Sequence, residues 1–193
     1  MNKFIVILLV SLTVYTIYAY TNTSSSKSGE SLDMSNINSI YQFKLNSADG
    51  KLIDFNDFRG KKILIVNTAT ECGFTYQLES LQKLQDKFVE NLVVIGTPSN
   101  DFMNQEPRNN SEIINFCSDK YGVEFLLTEK IHVSGKKIHE IYKYLTNIEY
   151  NGTSNKKVSW NFNKFLIDEN GYLLDHFGSM TKPFSEKIIS LLR

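Results

Sequence analysis

Two cysteines are the side chains of this 193-residue chain best suited to covalent redox chemistry, and their surroundings differ. Cys72 lies in Thr68-Ala69-Thr70-Glu71-Cys72-Gly73-Phe74-Thr75, just after an apolar run at residues 63–66 and just before a helical pattern. A thiol at the carboxyl end of a strand sits where open α/β sheets bind ligands. The start of the following helix favours its thiolate, and Glu71 opposes that effect if its carboxylate points inward. By residue type alone Cys72 is equally a small buried hydrophobe, so both readings stand. Cys117 falls on the apolar side of a later helical pattern, as a packing residue or, in an oxidising compartment, as half of a static bridge with Cys72. No C-x-x-C motif occurs, so a direct dithiol oxidoreductase of thioredoxin type is not expected. His132, His139 and His176 are scattered without ligand spacing, so no metal site is expected, and His139, in a Lys-rich stretch, reads as a surface residue. There is no Gly-rich phosphate loop, and the sequons at Asn22, Asn109 and Asn151 are short patterns that recur by chance in an Asn-rich chain.

Elements of alternating type must position these thiols. Short extended runs at 42–45 and 52–55 flank Ala48-Asp49-Gly50, a turn signal. The runs ILIV at 63–66 and LVVIG at 92–96 are continuous and β-branched, as in strands buried on both faces. Between them Leu78, Leu81, Leu84 and Phe88 recur every three to four residues, which predicts a helix over 75–90. Strand, helix and strand in this order make a right-handed βαβ unit. A further helix is predicted over 111–121, capped by Ser111 alone and carrying Ile113, Ile114, Phe116 and Cys117 on its apolar side. Another is predicted over 137–146. Strands at 164–167 and 172–177 are joined by Asp168-Glu169-Asn170-Gly171, a strong hairpin signal, and Phe184, Ile188, Ile189, Leu191 and Leu192 mark a C-terminal helix. The expected class is α/β with a thioredoxin-like fold: a central mixed sheet flanked by helices, preceded by an N-terminal β-hairpin.

Composition bounds the function. With 21 basic and 21 acidic residues the formal net charge is zero, which excludes a generic basic nucleic-acid binder. Two cysteines exclude a disulfide-rich scaffold. The run at 4–20 carries no charge and follows Lys3, the pattern of a signal peptide, although its length also approaches that of a membrane anchor. Residues 21–38, rich in Ser, Thr and Asn, read as a disordered linker, and 39–193 as one folded domain. Membrane contact is expected only through the N-terminal segment, if it stays uncleaved. Only Arg59, Arg108 and Arg193 are arginine among the 21 basic residues, a bias suggesting AT-rich coding as in malaria parasites. The expected localisation is therefore entry into the secretory pathway, with onward delivery to a plastid (apicoplast) as one branch and a cytosolic product initiated at Met34 as another.

Three segments together resemble the glutathione peroxidase family in its cysteine-containing form. ILIVNTATECGFTYQ at 63–77 is similar to the segment carrying the family's peroxidatic residue. VIGTPSNDFMNQEP at 94–107 matches its second signature, and WNFNKF at 160–165 its W-N-F-x-K-F segment, in the same order and spacing. The resemblance covers the chain from about Ser39 to the C-terminal helix. It implies Cys72 as peroxidatic nucleophile, with Gln105, Trp160 and Asn161 completing a tetrad whose amide and indole N–H donors stabilise thiolate and alkoxide without titrating. It also implies Cys117 as resolving cysteine, because INFCSDKY at 114–121 is similar to the family's F-x-C-T-R-F-K segment, with Ser118-Asp119 departing from the Thr-Arg pair. Ser99 replaces a further family cysteine, leaving Cys117 as the one candidate resolver.

The connection from Val133 to Trp160 lacks the insertion that glutathione-using tetrameric members employ for assembly, and few arginines are available to clamp glutathione carboxylates. The expectation is a monomeric thiol peroxidase that reduces hydrogen peroxide and organic or lipid hydroperoxides, takes electrons from thioredoxin and needs no cofactor. Glutathione as reductant, a redox sensor or relay, and a non-catalytic binding module with a fixed Cys72–Cys117 bridge are the alternatives.

Overall fold

The continuous apolar runs become the middle of the sheet. β3 (Lys62–Thr68) and β4 (Leu92–Pro98) pair in parallel from Lys62 opposite Leu92 to Thr68 opposite Pro98, and are buried along almost their whole length. This is a computed structural model, and it describes residues 39–193; the expected leader at 1–20 and linker at 21–38 lie outside the described residues. The C-terminal hairpin adds β6 (Lys164–Ile167) antiparallel to β3, then β7 (Leu173–Phe177) antiparallel to β6. A two-residue strand, β5 (Leu126–Leu127), closes the other edge beside β4. The strand order is β5-β4-β3-β6-β7, a mixed sheet with the parallel pair at its centre. The expected N-terminal hairpin is also present, as β1 (Lys44–Asn46) and β2 (Leu52–Asp54), a separate two-stranded unit.

Helix α1 (Gln77–Lys87) makes the crossover and buries Leu78, Leu81 and Leu84, the predicted stripe. Helix α2 (Asn110–Tyr121) buries Ile113 and Cys117 as expected, but its cap differs. Asn109 rather than Ser111 caps it, and Glu112 reaches back to the Asn109 amide, so a full capping box exists. Asn109 places the acidic partner three residues on, which Ser111 cannot. Helix α3 (Glu140–Leu145) is shorter than the predicted stretch because His139 ends it: the imidazole Nδ1 accepts the Ile141 amide as an N-cap. His139 is thus half-buried, not a surface residue, and burial lowers its pKa. A one-turn helix, α4 (Ile148–Asn151), follows. The last helix, α5 (Glu186–Leu192), begins after Phe184, which is exposed and outside it. The core between sheet, α1, α2 and α5 contains both cysteines, together with Val66, Leu78, Leu81, Val94, Phe125 and Phe162 among others.

Candidate active site

Cys72 occupies a turn between β3 and α1, 8% exposed at the surface of the core. The turn is held by one side chain. The Thr75 hydroxyl accepts the Cys72 amide at 3.1 Å and lies 2.9 Å from the Ala69 carbonyl and 2.6 Å from that of Cys72. The Phe74 amide points at the sulfur, with N···Sγ 3.5 Å. Glu71 faces outward, in an ion pair with Arg108 at 2.9 Å.

The second signature forms the wall beside the turn. Gln105 contributes its carbonyl to the Glu71 amide at 3.0 Å, and its side-chain Oε1 accepts Asn161 Nδ2 at 3.0 Å. Two of the residues implied by resemblance are therefore in direct contact. Trp160 lies against Phe102 of the same wall, with ring centroids 5.6 Å apart. The hydrogen bond on Cys72 Sγ comes from the Phe74 backbone, and the structure joins Gln105 to the cysteine turn through main chain.

Several residues that sequence reasoning passed over hold this arrangement. Glu106, fully buried, takes the Thr70 amide at 2.9 Å and the Thr70 hydroxyl at 2.6 Å, which ties the second signature to the first. Burial raises its pKa, against the pull of those two hydrogen bonds. It stands beside Gln105 in the quoted motif, so its position was visible and its task was not. Asn67 on β3 spans the third segment: Nδ2 donates to the Trp160 carbonyl at 3.0 Å and Oδ1 accepts the Asn163 amide at 2.9 Å. Phe162 adopts φ 63, a left-handed conformation unusual for a bulky residue. Its carbonyl accepts Lys164 Nζ at 2.8 Å. Burial lowers the Lys164 pKa to about 7. The Ser179 hydroxyl donates to the Asn161 carbonyl at 2.5 Å, and its own carbonyl accepts Gln77 Nε2 at 2.8 Å.

Cys117 sits in the same core cluster as Cys72, and both are free. The static bridge is therefore not part of this structure. The Cys117 carbonyl accepts the Val123 amide at 3.1 Å, where Gly122 (φ 63) ends α2. Burial, followed by the charge of Glu106, pushes its thiol up to about 12, so Cys117 is held here as a protonated thiol. Among the described residues no group of three or more His, Cys, Asp or Glu side chains is placed to hold a metal, and no helix is long and apolar enough to cross a membrane.

A family model described as glutathione peroxidase matches residues 40–146. The hydroperoxy fatty acid reductase gpx1 of Synechocystis is 43% identical over 76% of this chain and 90% of its own. The glutathione peroxidase-like peroxiredoxin 2 of Saccharomyces cerevisiae is 39% identical over 80% of this chain and 97% of its own. Among solved structures, T. cruzi GPX1 superposes with a TM-score of 0.62 at 29% identity, over 80% of this chain and 96% of that one.

Proposed function

We propose, for a chain that belongs to the glutathione peroxidase family, a catalytic cycle in which Cys72 is oxidised by the hydroperoxide and Cys117 resolves it for reduction by thioredoxin. The chain is a peroxidase, an oxidoreductase whose thiol chemistry reduces hydroperoxides. In the first step the Cys72 thiolate attacks the terminal peroxide oxygen. The O–O bond breaks, an S–O bond forms, and a proton on the departing alkoxide gives alcohol and Cys72 sulfenic acid. Gln105, with its Oε1 occupied by Asn161, has its NH₂ group left to donate to the reacting oxygens. Trp160 and Asn161 complete the donor set. In the second step the Cys117 sulfur attacks that of Cys72, an S–S bond forms, and the S–O bond breaks with loss of water. A dithiol then reduces the bridge by exchange.

One observation carries the choice of thioredoxin: two free cysteines on different elements share one packing cluster, the second close to a helix end. A second favours it. All three arginines are engaged within the chain: Arg59 with Asn56 and the Tyr41 ring, Arg108 with Thr70 and Glu71, Arg193 with Glu186. None is left to clamp the carboxylates of glutathione. The acting form is proposed to be a monomer, since the short connection between Val133 and Trp160 carries no assembly insertion.

The test is peroxide consumption by the purified protein with either thioredoxin and its reductase or glutathione and its reductase. Turnover confined to thioredoxin is the expected result. Efficient turnover with glutathione would make Cys117 a packing residue and overturn the cycle.

A further inference from the structure

We propose that Arg108 is a positioning residue that fastens the Cys72 turn to the Cys117 helix, and that its release sets the rate at which the two sulfurs meet. The proposal rests on the reading of Cys117 as the resolving cysteine.

Arg108 stands at the junction between the second signature and α2. Its Nη1 donates to the Thr70 hydroxyl at 2.7 Å and to Glu71 Oε1 at 2.9 Å. Its guanidinium carbon lies 4.6 Å from the centroid of the Phe116 ring. Thr70 and Glu71 directly precede Cys72, and Phe116 directly precedes Cys117. One side chain thus touches the residue before each cysteine. The backbone beneath it is pinned, because Lys130 Nζ donates to the carbonyls of Arg108 at 2.7 Å and Glu106 at 3.3 Å. Glu106 holds Thr70 from the other side. Phe116 also packs on Tyr121 with centroids 5.8 Å apart, so the ring under the guanidinium belongs to the final turns of α2.

This geometry suits arginine and not lysine. A planar guanidinium offers a face to an aromatic ring while its edge donates to a hydroxyl and a carboxylate. An ammonium keeps the charge but loses the face. On this proposal Cys117 reaches Cys72 when the end of α2 peels away, because a thiol held within a helical turn changes its place only by local opening, and a bridge needs Cα atoms within about 7 Å. The Phe116 ring then leaves the guanidinium. The contact therefore stabilises the closed form and is lost in the open one, so its removal lowers the cost of opening.

The experiment uses the full folded protein in two readouts. In the first, hydrogen exchange of the reduced protein follows the amides of residues 116–123. Arg108→Ala is expected to speed their exchange about fivefold, the scale of one exposed cation–aromatic contact with a surface ion pair. Phe116→Leu, which leaves the Thr70 and Glu71 contacts in place, should act in the same direction. Arg108→Lys, which keeps the charge but loses the planar face, should fall between Arg108→Ala and the native protein. In the second, one equivalent of hydrogen peroxide is added, and thiol trapping separates the peroxide-dependent formation of sulfenic acid from the later, concentration-independent formation of the bridge. The later phase should accelerate more than the first in Arg108→Ala. Unchanged exchange at 116–123 would overturn the fastening, and equal changes in both phases would reduce Arg108 to general support of the turn. Faster exchange in a protein that forms no Cys72–Cys117 bridge would instead remove the resolving role of Cys117 while leaving the fastening in place.

Discussion

Cys72→Ser is expected to abolish turnover with any reductant, by roughly 10³-fold or more, as befits the loss of a nucleophile. Serine is nearly isosteric, and the turn that holds it depends on backbone groups and Thr75, so the fold is expected to survive. The missing element is an ionisable sulfur. A hydroxyl in the same place, even with the Phe74 amide aimed at it, ionises far too weakly to attack peroxide. The measurement is coupled peroxide consumption with thioredoxin and then with glutathione, alongside a thermal melt to verify folding. Retention of a wild-type rate by a folded variant would remove Cys72 from the chemistry.

The second large effect concerns Cys117 and separates two steps that a steady-state assay merges. Cys117→Ser should consume one equivalent of peroxide at close to the normal rate and then stop with thioredoxin, a loss of about 10²-fold or more in turnover. The sulfenic acid on Cys72 would persist, detectable by trapping with a dimedone-type reagent. Because the site is buried, a serine hydroxyl there costs about 1–3 kcal/mol if it finds no partner. Cys117→Ala, which introduces no polar atom, controls for this. Unchanged steady-state turnover in either variant would overturn the resolving role.

Much of the fold could be read from residue patterns. The ILIV and LVVIG runs made the central parallel pair, and Asp168-Glu169-Asn170-Gly171 made the hairpin, because continuous apolarity and turn chemistry are local properties. β5 escaped because two residues contain no period; it exists through its pairing with β4 at Leu126 and Leu127. The cap of α2 was misplaced because Asn109, Asn110 and Ser111 are all capping types, and only the position of Glu112 distinguishes them.

At the site, the roles of Cys72, Gln105, Trp160 and Asn161 are what the resemblance implies, and the structure adds one side-chain contact among them, from Asn161 Nδ2 to Gln105 Oε1. What no local pattern revealed was the support behind them. Glu106, Asn67 and Ser179 act by reaching across segments far apart in the chain. Such partners are fixed only when the sheet brings its strands together. Polar residues of this kind look like surface residues until the burial is seen.

Lys164 gives the molecule an unusual response to alkali. Its ammonium has no carboxylate among the hydrogen-bond and ion-pair contacts described for it, and burial brings its pKa from 10.5 in the unfolded chain to about 7. Between those values the unfolded chain holds a proton that the folded one has released. Folding through that interval expels a proton, and linkage then requires stability to increase with pH from about 7 towards 10.5 on account of this group. Below pH 7 both states are protonated, and the folded form carries the full penalty of a buried charge. Melting temperature followed from pH 7 to 9 should rise more steeply in the native protein than in Lys164→Met, and parallel curves would show that Lys164 keeps its proton in the core. The loop bearing Trp160 and Asn161 is thus held by an amine that grips its carbonyl at lower cost as the medium turns basic.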